Sequence, residues 1–158
     1  MIQDAIRSAW LRDVRSLNGD LLGETLDLQE FLFGAERNAL GAVRPVLMDL
    51  QRAKCFYCSQ PVRPDGGHID HFIPWSKYPI DLGHNFVLVD NKCNGKKRDR
   101  MPHVDHLARW TERIKSHGAE IITGLKDQLP CDLACSNRIA YWAYHQTEAT
   151  LRLTWLRR

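Results

Sequence analysis

Two stretches carry the most specific pattern in the chain: Gly67-His-Ile-Asp-His-Phe-Ile-Pro-Trp-Ser76 and His84-Asn-Phe-Val-Leu-Val-Asp-Asn-Lys-Cys-Asn-Gly-Lys-Lys-Arg-Asp99. Each contains a short apolar or β-branched run, at about His68–Phe72 and Asn85–Val89, and both runs are bounded by turn-forming residues. The spacing predicts two extended pieces with a loop between them. A short helix is expected from about Cys93. The surrounding block, 55–102, also holds Pro61, Pro64, Gly66, Gly67, Pro74, Pro79 and Gly83. These residues leave little room for long helix. The order strand, loop, strand, helix is therefore the expected centre of the fold.

The flanks read differently. Ile2, Ile6, Trp10, Val14 and Leu17 fall at helical spacing up to the stop signal Asn18-Gly19. A second helix is expected over Leu26–Phe33, ending near Gly34. A third, about Glu36–Lys54, places Leu40, Val43, Val46, Leu47 and Leu50 on one side, and Pro45 predicts a kink or a start near Arg44. Beyond the centre, Val104, Leu107, Ala108, Thr111 and Ile114 form a stripe closed by Gly118. Glu120–Leu129 reads as a separate helix stopped by Pro130. A last helix is expected from Asp132 to the end, with Ile139, Trp142, Ala143, Gln146, Ala149 and Leu153 on one face. Trp10, Trp110, Trp142 and Trp155 are expected in the core. The chain is thus α+β and mostly helical: a ββα core at 55–102, an N-terminal helical segment at 1–54, and a C-terminal helical segment at 103–158, packed together.

Composition excludes several classes. Hydrophobic residues are 44% and charged residues 26% of 158, ordinary for a soluble globular protein and unlike a disordered chain. No apolar run in the sequence approaches the ~20 residues of a membrane span. Met1-Ile-Gln-Asp-Ala has neither the basic flank nor the apolar run of a signal peptide. Five cysteines, an odd number, argue against a disulfide framework and for a reducing, cytoplasmic setting with a metal site. A net charge of +3 does not by itself imply nucleic acid. Its distribution is more telling, since over residues 92–100 Lys92, Lys96, Lys97, Arg98 and Arg100 face only Asp99.

Cys55-Phe-Tyr-Cys58 follows a helix and precedes a Pro/Gly-rich loop, which suits a zinc knuckle better than a redox motif. Asp90-Asn-Lys-Cys93 repeats the spacing with a carboxylate in first position. Zinc accepts both sulfur and carboxylate oxygen in tetrahedral sites. Cys55, Cys58 and Cys93 are the expected ligands, with Asp90 as the fourth and His68 or His84 as competitors. Cys131 and Cys135 lack a partner pair and read as small buried hydrophobes.

Asp70 and His71 end the first strand. Neighbours on a strand point to opposite faces, so the two cannot do the same work from one side. One natural division has Asp70 holding a metal and His71 facing a substrate. Asn94, returned by the hairpin, can supply a second, neutral oxygen ligand. A sparsely liganded oxygen site suits Mg²⁺, which keeps its waters and takes phosphate oxygens.

The pattern Asp-His-x-x-Pro…Asn…Cys-Asn-x-x-Lys spans residues 70–97, and the cysteine pairs extend it to 55–99. It resembles the HNH endonucleases, the ββα-metal nuclease family. His71 matches the family's first His, Asn85 its middle Asn, and Asp70 the acid before the first His. Asn94 matches the last His, which is Asn in some subgroups. The set is similar to the HNH domain of RNA-guided CRISPR effector nucleases. The context Phe31-Leu-Phe-Gly, His71-Phe-Ile-Pro-Trp-Ser-Lys-Tyr-Pro and Trp142-Ala-Tyr looks like bacterial HNH proteins whose nuclease unit is a C-terminal effector region.

The resemblance implies hydrolysis of DNA phosphodiester bonds. It makes His71 the general base, since an imidazole titrating near pH ~6.5 suits a base working at pH 7–8. It implies one catalytic Mg²⁺ or Mn²⁺ on Asp70 and Asn94, a structural Zn²⁺, and a bracing or orienting role for Asn85. Lys96, Lys97 and Arg98 become DNA phosphate contacts. Asn94 in place of His favours Mg²⁺ or Mn²⁺, and Asp90 stands where a zinc cysteine would. The implied role is the nuclease module of a larger bacterial antiviral defence or restriction system, recruited to DNA by another protein or complex. The alternative is a zinc-braced nucleic-acid-binding or docking module, which would need no general base.

Overall fold

The computed structural model describes residues 39–78, 81–148 and 154–156. The helices expected at 2–17 and 26–33, and Trp10, lie outside these residues. In chain order the elements are α1 (Ala39–Leu50), β1 (His68–His71), a 3₁₀ turn (Gly83–Asn85), β2 (Phe86–Val89), α2 (Asn91–Lys97), α3 (Val104–Leu125) and α4 (Leu133–Glu148). The expected α+β architecture with a ββα centre is present.

β1 and β2 pair antiparallel in the register His68↔Val89, Ile69↔Leu88, Asp70↔Val87 and His71↔Phe86. All four residues of β2 are buried, whereas β1 is exposed to half-buried. The other edge of β2 is covered. Phe56 N donates to Leu88 O at 2.8 Å, and the Gln51 amide makes two 2.9 Å bonds, Nε2 to Leu88 O and Leu88 N to Oε1. A glutamine side chain thus stands in for a third strand, which leaves no open edge there.

α1 runs through Pro45 rather than starting near Arg44. Its residues Val43 and Leu47, four apart, are fully buried in the core, and Val46 packs at Gly124 of α3. α3 departs from expectation in a second way. The two helices predicted on either side of Gly118 are one helix of 22 residues. Gly118 is a packing point and not a stop: it is buried against Leu133 and His84, and its carbonyl lies 3.4 Å from His84 Nε2. Nor does the last helix reach the C-terminus. α4 ends at Glu148, and Trp155 is extended beside Pro102, with Trp155 N donating to Met101 O at 2.7 Å and His103 N to Trp155 O at 2.8 Å.

The core forms where α3 crosses the hairpin. Phe72 stacks on Trp110 at 5.1 Å and 8°, and Phe56 meets Phe72 edge-on at 5.8 Å. Trp110 Nε1 donates to His84 O at 3.1 Å. Arg113 donates to Phe86 O at 2.9 Å and to His84 O at 2.7 Å. These bonds fix the carbonyls at the entry to β2, and burial lowers the Arg113 guanidinium to about 10. Trp110 and Trp155 are buried and Trp142 packs against the core, as expected, but the buried face of α3 runs through His106, Trp110, Ile114, Gly118, Ile121 and Leu125, and the expected stripe residue Val104 is exposed.

Candidate active site and metal centre

The chain leaves α1 through left-handed residues at Arg52 and Ala53 and turns tightly at Cys55–Ser59. There Ser59 N donates to Cys55 O at 2.8 Å, and Ser59 itself is left-handed at φ 61°. This turn brings Cys55 and Cys58 to one side. Asp90 and Cys93 arrive from the start of α2. Ligand atoms of Cys55, Cys58, Asp90 and Cys93 all lie within 4.8 Å of one another. Tetrahedral Zn²⁺ has Zn–S distances of about 2.3 Å, so donors sit roughly 4 Å apart around it. Three thiols and one carboxylate at this spacing fit the ion. His68 and His84, the competitors for the fourth place, are elsewhere: His68 is exposed on β1, and His84 is buried against Gly118.

Asp90 has two tasks. Its Oδ1 accepts from Cys93 N at 2.9 Å and so caps α2, which therefore starts at Asn91 and not at Cys93. Its Oδ2 accepts from Cys58 Sγ at 2.8 Å. Burial opposes its ionisation, but the bonds donated by Cys58 and Cys93 outweigh this and hold the carboxyl well below the usual range. Burial pushes the Cys55 thiol up to about 11 and the Cys93 thiol higher. A metal cation is what would reverse that preference and deprotonate them. Burial also raises Cys131 and Cys135 to about 11, in keeping with unreactive thiols.

Asp70 and His71 end β1 with different partners. Asp70 Oδ2 accepts from Tyr57 OH at 3.2 Å and pairs with Lys97 Nζ at 3.0 Å. Its Oδ1 has no hydrogen-bond partner among the described residues. The ring of His71 lies 4.6 Å from that of Phe86 and 5.5 Å from that of Trp75, and its Nε2 is 2.6 Å from Asp81 Oδ1. Asn85 sits behind them, buried. Its Oδ1 accepts from Ile73 N at 2.8 Å and its Nδ2 donates to Ile73 O at 3.0 Å. The amide thus pins the loop that leaves His71, and Phe72 N to Asn85 O at 2.7 Å closes the same clamp.

Asn94 is half-buried on α2, one turn before Lys97. Residues three apart share a helix face, so Asn94 lies on the side from which Lys97 reaches Asp70. Lys96 and Arg98 are exposed, as are Lys92 and Arg100. Lys97 is not with them. It is fully buried, and its Nζ donates to His71 O at 2.9 Å besides pairing with Asp70. Burial lowers its pKa and the Asp70 charge opposes that shift. The expected phosphate contact at Lys97 is therefore an internal strut of the site. Tyr57, Asp81 and the exposed Trp75 also belong to this neighbourhood. None carries a spacing signal, and only chain geometry brings them in.

A sequence-family model described as HNH endonuclease matches residues 55–103. Among solved structures, the chain is similar to the Type II-C Cas9 enzyme from Actinomyces naeslundii at 19% identity and a TM-score of 0.35. The match covers 97% of this chain and 15% of that one. No curated protein matches. Among the described residues no helix is long and apolar enough to cross a membrane. The family match begins at the first knuckle cysteine and ends just past the helix that carries Asn94, enclosing the ββα unit. Over residues 55–103 the chain therefore matches the HNH endonuclease family model.

Proposed function

We propose that this chain is a metal-dependent endonuclease that hydrolyses DNA phosphodiester bonds, working as the nuclease module of a larger bacterial defence or restriction system. The observation that carries the reading is the division of labour at the end of β1. Within an HNH-matched segment, Asp70 and His71 are adjacent yet their side chains meet different partners, Lys97 and Tyr57 for the one, Asp81 for the other.

In this reading Asp70, through the Oδ1 that has no partner among the described residues, and Asn94 would hold Mg²⁺ or Mn²⁺. When bound, such a cation supplies positive charge to the scissile phosphate and the leaving oxygen. His71 takes the proton of the attacking water. Asn85 keeps the His71 loop in place through Ile73. Lys96, on the exposed side of α2, and Arg98, just past its end, contact flanking phosphates, which gives affinity without sequence readout. Trp75, 46% exposed beside His71, offers an aromatic face to a sugar or base. The Cys55, Cys58, Asp90, Cys93 cluster holds Zn²⁺ and fixes α2 against the hairpin.

Supercoiled-plasmid cleavage with Mg²⁺, Mn²⁺ or EDTA tests the reading. Cleavage is expected with either cation and none with EDTA. His71→Ala is expected to fold, keep zinc, bind DNA and lose roughly 10²–10⁴ in rate. DNA binding without cleavage under every condition would instead mark a zinc-braced binding module.

A further inference from the structure

We infer that Asp81 is the positioning residue for His71, and that it leaves Nδ1 as the basic atom of the imidazole. The inference deepens the nuclease reading and rests on it. Asp81 follows the loop that begins at Phe72, and Gly83 N anchors the chain just beyond it by donating to Pro130 O at 2.9 Å. From there its Oδ1 meets His71 Nε2 at 2.6 Å, with side-chain exposures of 16% and 21%. An ionised carboxylate only accepts hydrogen bonds. The proton of a neutral His71 ring therefore resides on Nε2, and the lone pair is on Nδ1. Nδ1 has no hydrogen-bond partner among the described residues.

The ring has little freedom to choose otherwise. Phe86 lies 4.6 Å from it, its register partner across the hairpin, and Trp75 lies 5.5 Å away. With Nε2 tied to Asp81, the imidazole is held at one edge and packed by two aromatic neighbours. A base whose second nitrogen is oriented by a carboxylate is a recurrent way to fix tautomer and aim together. Asp81 does this without touching the reacting atoms.

The experiment uses the whole chain with ¹⁵N-labelled histidine and single-turnover cleavage, for wild type, Asp81→Ala, Asp81→Glu and His71→Ala. The last variant assigns the His71 signals. At pH 8 without added divalent cation, wild type is expected to show a protonated-type Nε2 and a lone-pair-type Nδ1. Asp81→Ala is expected to show exchange-averaged nitrogens. Its cleavage rate constant at saturating DNA is expected to fall about 10- to 100-fold, the usual cost of losing a carboxylate that orients a histidine. Its DNA affinity and Mn²⁺ affinity should stay at the wild-type value, and Asp81→Glu should recover part of the rate. A proton on Nδ1 in wild type, or Asp81→Ala with unchanged tautomer and rate, would overturn the inference. Lost Mn²⁺ affinity in Asp81→Ala would overturn it too, by making Asp81 a metal ligand. The nitrogen signals are read without turnover. A wild-type protein with the expected tautomer but no cleavage would therefore defeat the nuclease reading and leave the Asp81–His71 geometry standing.

Discussion

Lys96, Lys97 and Arg98 look alike in the sequence, yet one is a strut and two face solvent. The signal separating them was legible: Lys97 is four residues after the buried Cys93, so both lie on the inward face of α2. Removing one partner of a buried ion pair leaves the other charge uncompensated, and Asp70 with only Tyr57 would be such a case. Lys97→Met is expected to lower stability by about 3 kcal/mol, the low end for such losses because Asp70 keeps some solvent. Lys96→Ala should stay within about 0.5 kcal/mol. Urea denaturation of the two variants decides this, and equal small losses would put Lys97 back on the surface. His106 makes the pH argument. It is buried between Tyr57 and Trp155, with neither ring nitrogen partnered among the described residues. Burial lowers its pKa from 6.5 to about 4. Between those values the unfolded chain binds a proton that the folded chain does not, so acid favours unfolding. The stability that the neutral ring contributes is complete above pH 6.5 and is lost as pH falls towards about 4. His106→Phe should flatten the fall in Tm across that window, while changing little at pH 8. A Tm–pH curve that runs parallel to wild type would show that this ring is not the source.

Among the elements, the hairpin was readable because Pro and Gly fence it and its apolar run is short. α3 was misread at Gly118, for glycine stops a helix only when nothing outside rewards continuing it. Here the close approach of His84 and Leu133 does. A Cβ at Gly118 would meet Leu133 Cδ2 at 3.8 Å and His84 Nε2 at 3.9 Å, which is ordinary contact. Gly118→Ala should therefore gain up to about 1 kcal/mol from helix propensity. Gly67 is the opposite case. It leads into β1 at φ 71°, where a Cβ would lie 2.6 Å from Val89 O and 2.6 Å from Val62 Cγ1. Gly67→Ala should destabilise, and thermal melts of the pair should move in opposite directions. The start of α2 was misplaced for a related reason. The spacing marked Asp90 as a candidate ligand but not as a cap, because one carboxylate meets the cysteine cluster and caps the helix at once. Asp90→Asn keeps an acceptor for the cap and removes the charge at the metal. It should weaken zinc while sparing the apo-protein's Tm, whereas Asp90→Ala should lower both. Zinc content and melts with and without chelator would check this, and equal effects of the two changes would mean that the cap contributes nothing.

At the scale of the molecule, the cysteine and Asp90 spacing anticipated a cluster that the fold does bring together, and the Asp-His pair falls at the end of β1 as the pattern implied. Spacing could not show which distant residues close around it. Tyr57, Asp81 and Trp75 come from a turn and a Pro-rich loop, where no period fixes direction. The long helix α3 has the largest consequence here. Its Trp110 and Arg113 bond the carbonyls of His84 and Phe86, and Trp110 covers Phe72. All of these contacts cross the boundary at residue 103 where the family match ends. The contacts that hold the back of β2 thus reach beyond the stretch that the family model matches. A graft of 55–103 into another host would leave the back of β2 bare, unless the host brought a helix bearing an aromatic and a guanidinium to the same place. Whatever scaffold carries such a ββα unit must therefore supply its missing wall, and that requirement constrains which hosts can acquire one.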